Sequence, residues 1–361
     1  LHNKCSSWYQ RGSDASVFVI ELIFHLVSSK NMAEAASIIV DKGRSLIAQG
    51  HLELLSLIDS LEISEISSDA STKINHYKGE ILALLGRFEE AKTAFVIAQE
   101  LASKGKDINT QAELLSALAD ISLKQGNLDE SLTMHLEALE IFVKLKDAIG
   151  AARSYNNMGY ILRRKNDKSK ALESYAEVEA ILRENDDDEL IASQLILARS
   201  LMDLGEIERA RDHALAAFDK TDKLNDKQLH ARAQAVLGRY YAKVGDSDVA
   251  SHHYTQALEA MNEEGDILAM VDITILLGEV LQDSGKNDEA MEHFREALVI
   301  AEANDLRMQI GELLIRLGSV APEKNRRMEY LQRALSVFRE LGAKSRMREV
   351  QTRVHNAVMG R

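Results

Sequence analysis

Apolar residues recur at three- and four-residue steps from Gln111 to Gln125 and again from Leu128 to Leu145, with polar residues between them. On a helix of 3.6 residues per turn that spacing gathers them into one buried stripe. Gly126 and Asn127 interrupt the pattern, and both residue types tolerate the left-handed backbone that ends a helix. The prediction is a pair of antiparallel helices joined by a tight turn. The same pattern recurs along the chain, with predicted turns at Gly86, Gly126, Asn166, Gly205, Gly245 and Gly285, 39 or 40 residues apart.

Fixed positions relative to each turn carry fixed residue types. Seven before it stand Gly79, Ala119, Gly159, Ala198, Gly238 and Gly278, and five after it Ala91, Ser131, Ala171, Ala210, Ala250 and Ala290. Nine after it come Phe95, His135, Tyr175, Ala214, Tyr254 and Phe294, and twelve after it Ala98, Ala138, Val178, Ala217, Ala257 and Ala297. Small residues let helix backbones approach, and alternating large ones interlock between them. Asp107, Asp147, Asp188, Asp226, Asp266 and Asp305 lie between pairs, where a carboxylate can accept from the free amides of the next helix. One hairpin cannot cover its own apolar face, so successive hairpins must stack. The expected fold is all-α: a right-handed superhelical solenoid of antiparallel helix pairs, about 40 residues per repeat. Residues 1–70 are expected to form an irregular helical segment or capping repeat, 71–342 about seven helix pairs, and 343–361 a capping helix.

The order small, turn, alanine, large, alanine resembles the tetratricopeptide repeat over roughly Thr72 to Gly342. That family's usual unit is about 34 residues, so the units here are longer. Its helix-ending proline is missing from these repeats, and the aspartates occupy that region. The resemblance implies a non-enzymatic interaction domain that takes a protein or peptide in a concave groove. The first seventy residues differ. Leu1 and His2, the pair Trp8 and Tyr9, His25, the pair Ala35 and Ala36, and the stretch Gly50 to Leu61 are similar to the junction that precedes such repeats in signal-transduction ATPases of the maltose-regulon-activator class. That likeness implies an alternative: the arm of such an ATPase or transcription regulator that senses a small-molecule inducer, its nucleotide-binding and DNA-binding parts lying outside this chain. The opening on Leu1 rather than methionine fits a piece of a longer protein.

Composition narrows the classes. One proline, 45% apolar residues, 28% charged and 5% aromatic describe an ordered, helical, soluble chain. The longest apolar run, Val17 to Val27, contains Glu21 and His25 and is too short to span a bilayer. Cys5 is the only cysteine, which excludes an intrachain disulfide and fits the reducing cytoplasm. A net charge of -13 argues against direct nucleic-acid binding by this segment, because neutralising phosphate demands the opposite sign.

Catalytic and cofactor chemistry leave little trace, and no cofactor is expected. Gly342 to Ser345 reads Gly-Ala-Lys-Ser but lacks the leading glycine and preceding strand of a phosphate loop. His252 and His253 are adjacent, so they face different sides of a helix instead of sharing a metal. Asp186 to Glu189 lacks the glycine and ligand alternation of a calcium loop. His135 takes a position filled elsewhere by Phe or Tyr and is expected in the core. The stronger signal lies six residues before each turn, on the predicted inner wall: Glu80, Asp120, Tyr160, Arg199, Arg239 and Glu279. Arg153, Asn156, Asn157, Arg163 and Arg164 reinforce one middle unit, and Arg232 and Lys243 another. Guanidinium forks and amides suit carboxylates and peptide backbone. The candidate groove is therefore Arg153, Asn156, Asn157, Tyr160, Arg163, Arg199, Arg232, Arg239 and Lys243, its expected ligand an acidic or extended peptide. The competing reading makes these arginines bridges to acids of neighbouring repeats.

Overall fold

The computed structural model describes residues 16–62, 65–185, 187–224 and 226–359. The readings placed on Leu1, His2, Cys5, Trp8, Tyr9 and Asp186 lie outside them. Among the described residues there are eighteen α-helices, short 3-10 segments and no strand. The helices fall into two compact units, residues 1–121 and 122–361.

The first unit contains α1 (Ser16–Ser28), α2 (Met32–Ala48), α3 (Leu54–Asp59), α4 (Ser68–Leu84) and α5 (Phe88–Gly105), and α6 (Ile108–Gln125) begins in it. α1 packs on α2, α2 on α4, and α4 on α5. α4 starts where the Ser67 hydroxyl accepts from the Ala70 amide. It ends where Gly86 takes a φ of 75°, the left-handed turn expected there.

The second unit continues through α7 (Leu128–Leu145), α8 (Ala148–Arg164), α9 (Lys168–Glu184), the 3-10 turn Asp188–Leu190, α10 (Ile191–Leu204), α11 (Ile207–Leu224) and α12 (Lys227–Val244). It is completed by α13 (Ser247–Glu264), α14 (Ile267–Asp283), α15 (Asn287–Ala303), α16 (Arg307–Val320), α17 (Lys324–Glu340) and α18 (Lys344–Met359). Each even-numbered helix from α8 to α16 packs on the helix that follows it, and each such pair packs on the next. Gly126, Asn166, Gly205, Gly245 and Gly285 all have positive φ, so the turn positions read from the pattern are those observed. No helix among the described residues is long and apolar enough to cross a membrane.

The small-to-large positions meet within hairpins. A Cβ added at Gly79 would stand 2.4 Å from Phe95, at Gly159 2.3 Å from Tyr175, at Gly238 2.8 Å from Tyr254, and at Gly278 2.5 Å from Phe294. Those rings are fully buried, and the glycine is what lets each lie flat against the facing backbone. His135 is also fully buried. Two further close contacts were not visible in the pattern: Phe142 of α7 lies under Gly150 of α8, joining one pair to the next, and Phe338 lies under Gly311 within the pair α16 and α17.

Asp147, Asp226 and Asp266 cap α8, α12 and α14, accepting from the amides of Gly150, Leu229 and Ala269. Asp107 accepts likewise from Thr110 at the start of α6. Two expected caps are corrected. Asp187 takes the cap role assigned to Asp188, accepting from Glu189, because the chain opens with a 3-10 turn there. Asp305 has a φ of 49° and ends the preceding helix instead of starting the next.

Within the second unit, successive first helices of the pairs (α8 with α10, α10 with α12, α12 with α14, α14 with α16) also pack on one another. Among the described residues, successive second helices do not pack to that extent. First helices therefore line the inside of the curve and second helices its outside. The unit curls far enough for the Arg164 guanidinium at the end of α8 to donate to the Ser345 hydroxyl at the start of α18, at 2.9 Å. Ser345 also stands against Gly126.

Candidate functional site

The inner wall of the second unit is a ladder of charge. Asp203, one turn beyond Arg199 on α10, receives Arg163 from α8 at 3.3 Å and Arg239 from α12 at 2.7 Å. Further along, Arg316 on α16 bridges Glu279 on α14 at 2.7 Å and Glu312 on its own helix at 3.0 Å. Arg346 of α18 also binds Glu312. These side chains keep partial contact with solvent, so each pair contributes about 1 kcal/mol or less. Their combined effect is to fix which charges remain available. A polar cavity of about 410 Å³ opens among Glu279, Glu312, Arg316, Arg346 and Arg353.

The predicted groove residues separate into distinct roles. Asn156 is buried, and its amide donates to the Ser193 carbonyl at 3.0 Å, so it ties α8 to α10 and is closed to a ligand. Arg153 is half-buried with its guanidinium 5.8 Å from the Phe142 ring. Tyr160 is exposed, with the Arg163 guanidinium 5.2 Å from its ring, a cation–π contact. Asn157 is half-buried. Arg232 reaches Asp266 at 3.5 Å, and Asp266 is itself buried and bonded to Gln228 at 2.9 Å. Lys243 is exposed and makes no ion pair among the described residues. Glu80, in the first unit, pairs with His76 at 3.5 Å. Bridging between repeats therefore occupies Arg163, Arg232 and Arg239, which limits what these three can offer a ligand.

Arg199 differs from these. It keeps a solvent-exposed surface, yet protein crowds it on the inner wall, and among the described residues it makes no hydrogen bond or ion pair. Burial lowers its pKa, and the neighbouring Arg239 guanidinium adds to the effect. Asp272, on α14, was not among the predicted residues and is in the same position with the opposite sign. It is solvent-accessible, crowded and unpaired among the described residues. A reading seven residues, or two helical turns, before the inner-wall position would have found it, since Asp272 stands to Glu279 as Arg232 stands to Arg239.

Burial pushes the Asp272 carboxyl up to about 6; Asp266 and Glu312 push the same way, and Arg199 and Arg316 oppose them. The folded chain thus holds a proton here that the unfolded chain has released, so this group's contribution to stability falls as pH rises through the window from the ordinary 3.8 to about 6. Asp272→Asn is expected to raise the melting temperature at about pH 8, with the gain shrinking toward about pH 4. Thermal melts of both proteins across that range test this, and a gain independent of pH would contradict it.

Tetratricopeptide-repeat family models match residues 110–184, 191–216 and 235–305. Comparison with curated proteins finds no match. The solved structures that share the fold include two of note. The Rap conjugation gene regulator of plasmid pLS20 in complex with the Phr* peptide is 16% identical, with a TM-score of 0.54 over 83% of this chain and 76% of that one. A Signal Transduction ATPase with Numerous Domains carrying a tetratricopeptide repeat sensor, from Pyrococcus horikoshii, is 15% identical, with a TM-score of 0.50 over 97% of this chain. This chain spans 54% of that ATPase's length. At such identities the likeness is one of fold. Left-handed turns at the predicted spacing, glycines under buried rings and the matching family models lead to one assignment: the chain carries an array of tetratricopeptide repeats.

Proposed function

We propose that the second unit is a non-enzymatic interaction module whose inner wall holds an extended peptide segment of a partner. The observation that carries this reading is the inner face of α8, α10, α12 and α14. It presents Tyr160, Arg199 and Asp272 to solvent in consecutive or near-consecutive repeats, on helices whose backbones are held together by packing and by the Asp203 bridge. Rigid presentation lowers the ordering cost of binding. The Rap regulator of the same fold is in complex with a peptide, which supports this use of the architecture.

The test is capture of peptides from a soluble random octapeptide library on the immobilised chain. Arg199→Glu is expected to cut the retained peptide about tenfold, equivalent to about 1.4 kcal/mol, while the melt stays near that of the wild type because no ion pair is broken. Asn157→Ala should weaken capture less. Glu292→Arg, on the exposed face of α15, should leave it unchanged. Equal capture by all of them would remove the inner wall as the binding surface.

A second reading makes the array the sensing arm of a multidomain ATPase regulator that takes a small-molecule inducer. The fold shared with the Pyrococcus horikoshii protein over 97% of this chain supports it. A phosphate loop encoded upstream of Leu1 is the expected finding, and a gene that starts there without one would end this reading.

A further inference from the structure

Resting on the peptide-binding reading, we propose that Arg199 and Asp272 form a two-charge recognition site: Arg199 takes a carboxylate, and Asp272 an ammonium or guanidinium, of the same bound peptide. The two side chains project from α10 and α14, first helices separated by α12. Both remain accessible to solvent, and neither has a hydrogen bond or ion pair among the described residues.

The surrounding charges are already committed. Near Arg199, the Asp203 carboxylate is held between Arg163 and Arg239. Near Asp272, Arg316 is held by Glu279 and Glu312, and Arg232 leans on Asp266. Resident counter-charges are therefore spent on other partners. Arg199 and Asp272 feel each other's field without coming within ion-pair distance. Both pKa shifts run against the charged form, as burial without a full counter-charge requires.

The signs exclude simpler ligands. A purely acidic segment would satisfy Arg199 but bring negative charge against Asp272, Asp266 and Glu312. A purely basic one would satisfy Asp272 and meet Arg199, Arg232 and Arg239. Only a segment carrying both signs, able to reach from α10 to α14, supplies what each unpaired group lacks. Like-charge juxtaposition rejects the other two classes. The expectation of an acidic partner is thereby narrowed to a mixed-charge one.

The experiment sequences the octapeptides retained from the random library by the full chain, by Arg199→Gln, by Asp272→Asn and by Arg199→Lys, with thermal melts confirming that each is folded. The wild-type set should be enriched several-fold in peptides holding both an acidic and a basic residue. Arg199→Gln should lose the acidic enrichment and keep the basic one, and Asp272→Asn should do the reverse. Arg199→Lys, which retains the charge, should keep the acidic enrichment. If peptides are retained without joint charge enrichment, or with an enrichment that neither variant alters, the two-charge site is wrong while peptide binding stands. If the wild type retains no peptide, both the groove reading and this site fall.

Discussion

Gly278→Leu should cost the array about 3 kcal/mol, at the upper end of what overpacking a core exacts. The Cβ alone would stand 2.5, 2.8 and 3.0 Å from three carbons of the Phe294 ring, which is fully buried and has nowhere to retreat. The remaining leucine carbons would have to part α14 from α15. The chain itself shows the remedy: where the facing residue is Ala214, the glycine position is Ala198, and both are fully buried. Adding Phe294→Ala to Gly278→Leu should therefore lose less than the two single changes together, the mark of side chains that compete for one space. Denaturant melts of the four proteins measure this. Additive losses, or a Gly278→Leu melt that matches the wild type, would refute the contact.

Asp266→Ala should be the most damaging change among the capping aspartates. Its carboxylate accepts from the Ala269 amide at 2.9 Å and from the Gln228 side chain of α12 at 2.9 Å, with Arg232 at 3.5 Å, and the residue is 2% exposed. Losing a cap costs about 1 kcal/mol, and stripping a buried carboxylate from its donors adds about 1 to 2 kcal/mol. Asp226→Ala removes an exposed cap alone and should cost only the first part, about 1 kcal/mol. The difference between the two melts isolates the bonds between repeats. Equal losses would mean that Gln228 and Arg232 contribute nothing through Asp266.

What could be read in advance was whatever one hairpin dictates to itself. Gly278 and Phe294 are sixteen residues apart and recur at the same offset in several pairs, so period and residue size placed them correctly. Asp305 misled because an aspartate can end a helix in the left-handed region as well as start one, and sequence position alone does not separate the two uses. The inner wall was legible in outline and not in detail. Asp203 joins Arg163 to Arg239 across three first helices, and such pairing depends on how far each repeat rotates on the last. Asn156 looked like a groove amide because it neighbours Asn157 and Tyr160, but a shift of one residue on a helix turns a side chain by about 100°, and it lies in the seam with Ser193. Asp272 is missing from the candidate residues because the register of Arg232 was not carried into the next repeat, where Asp272 occupies it.

The bond between Arg164 and Ser345 changes what kind of object the second unit is. In an open stack, a repeat can be gained or lost at a cost confined to its neighbours. Here an extra hairpin inserted anywhere between α8 and α18 would carry Ser345 away from Arg164 and from the Gly126 turn it rests on. A change in the number of repeats in this unit, the ordinary route by which such arrays change length, therefore also costs a contact between residues 181 apart in sequence, a penalty that an open stack does not carry.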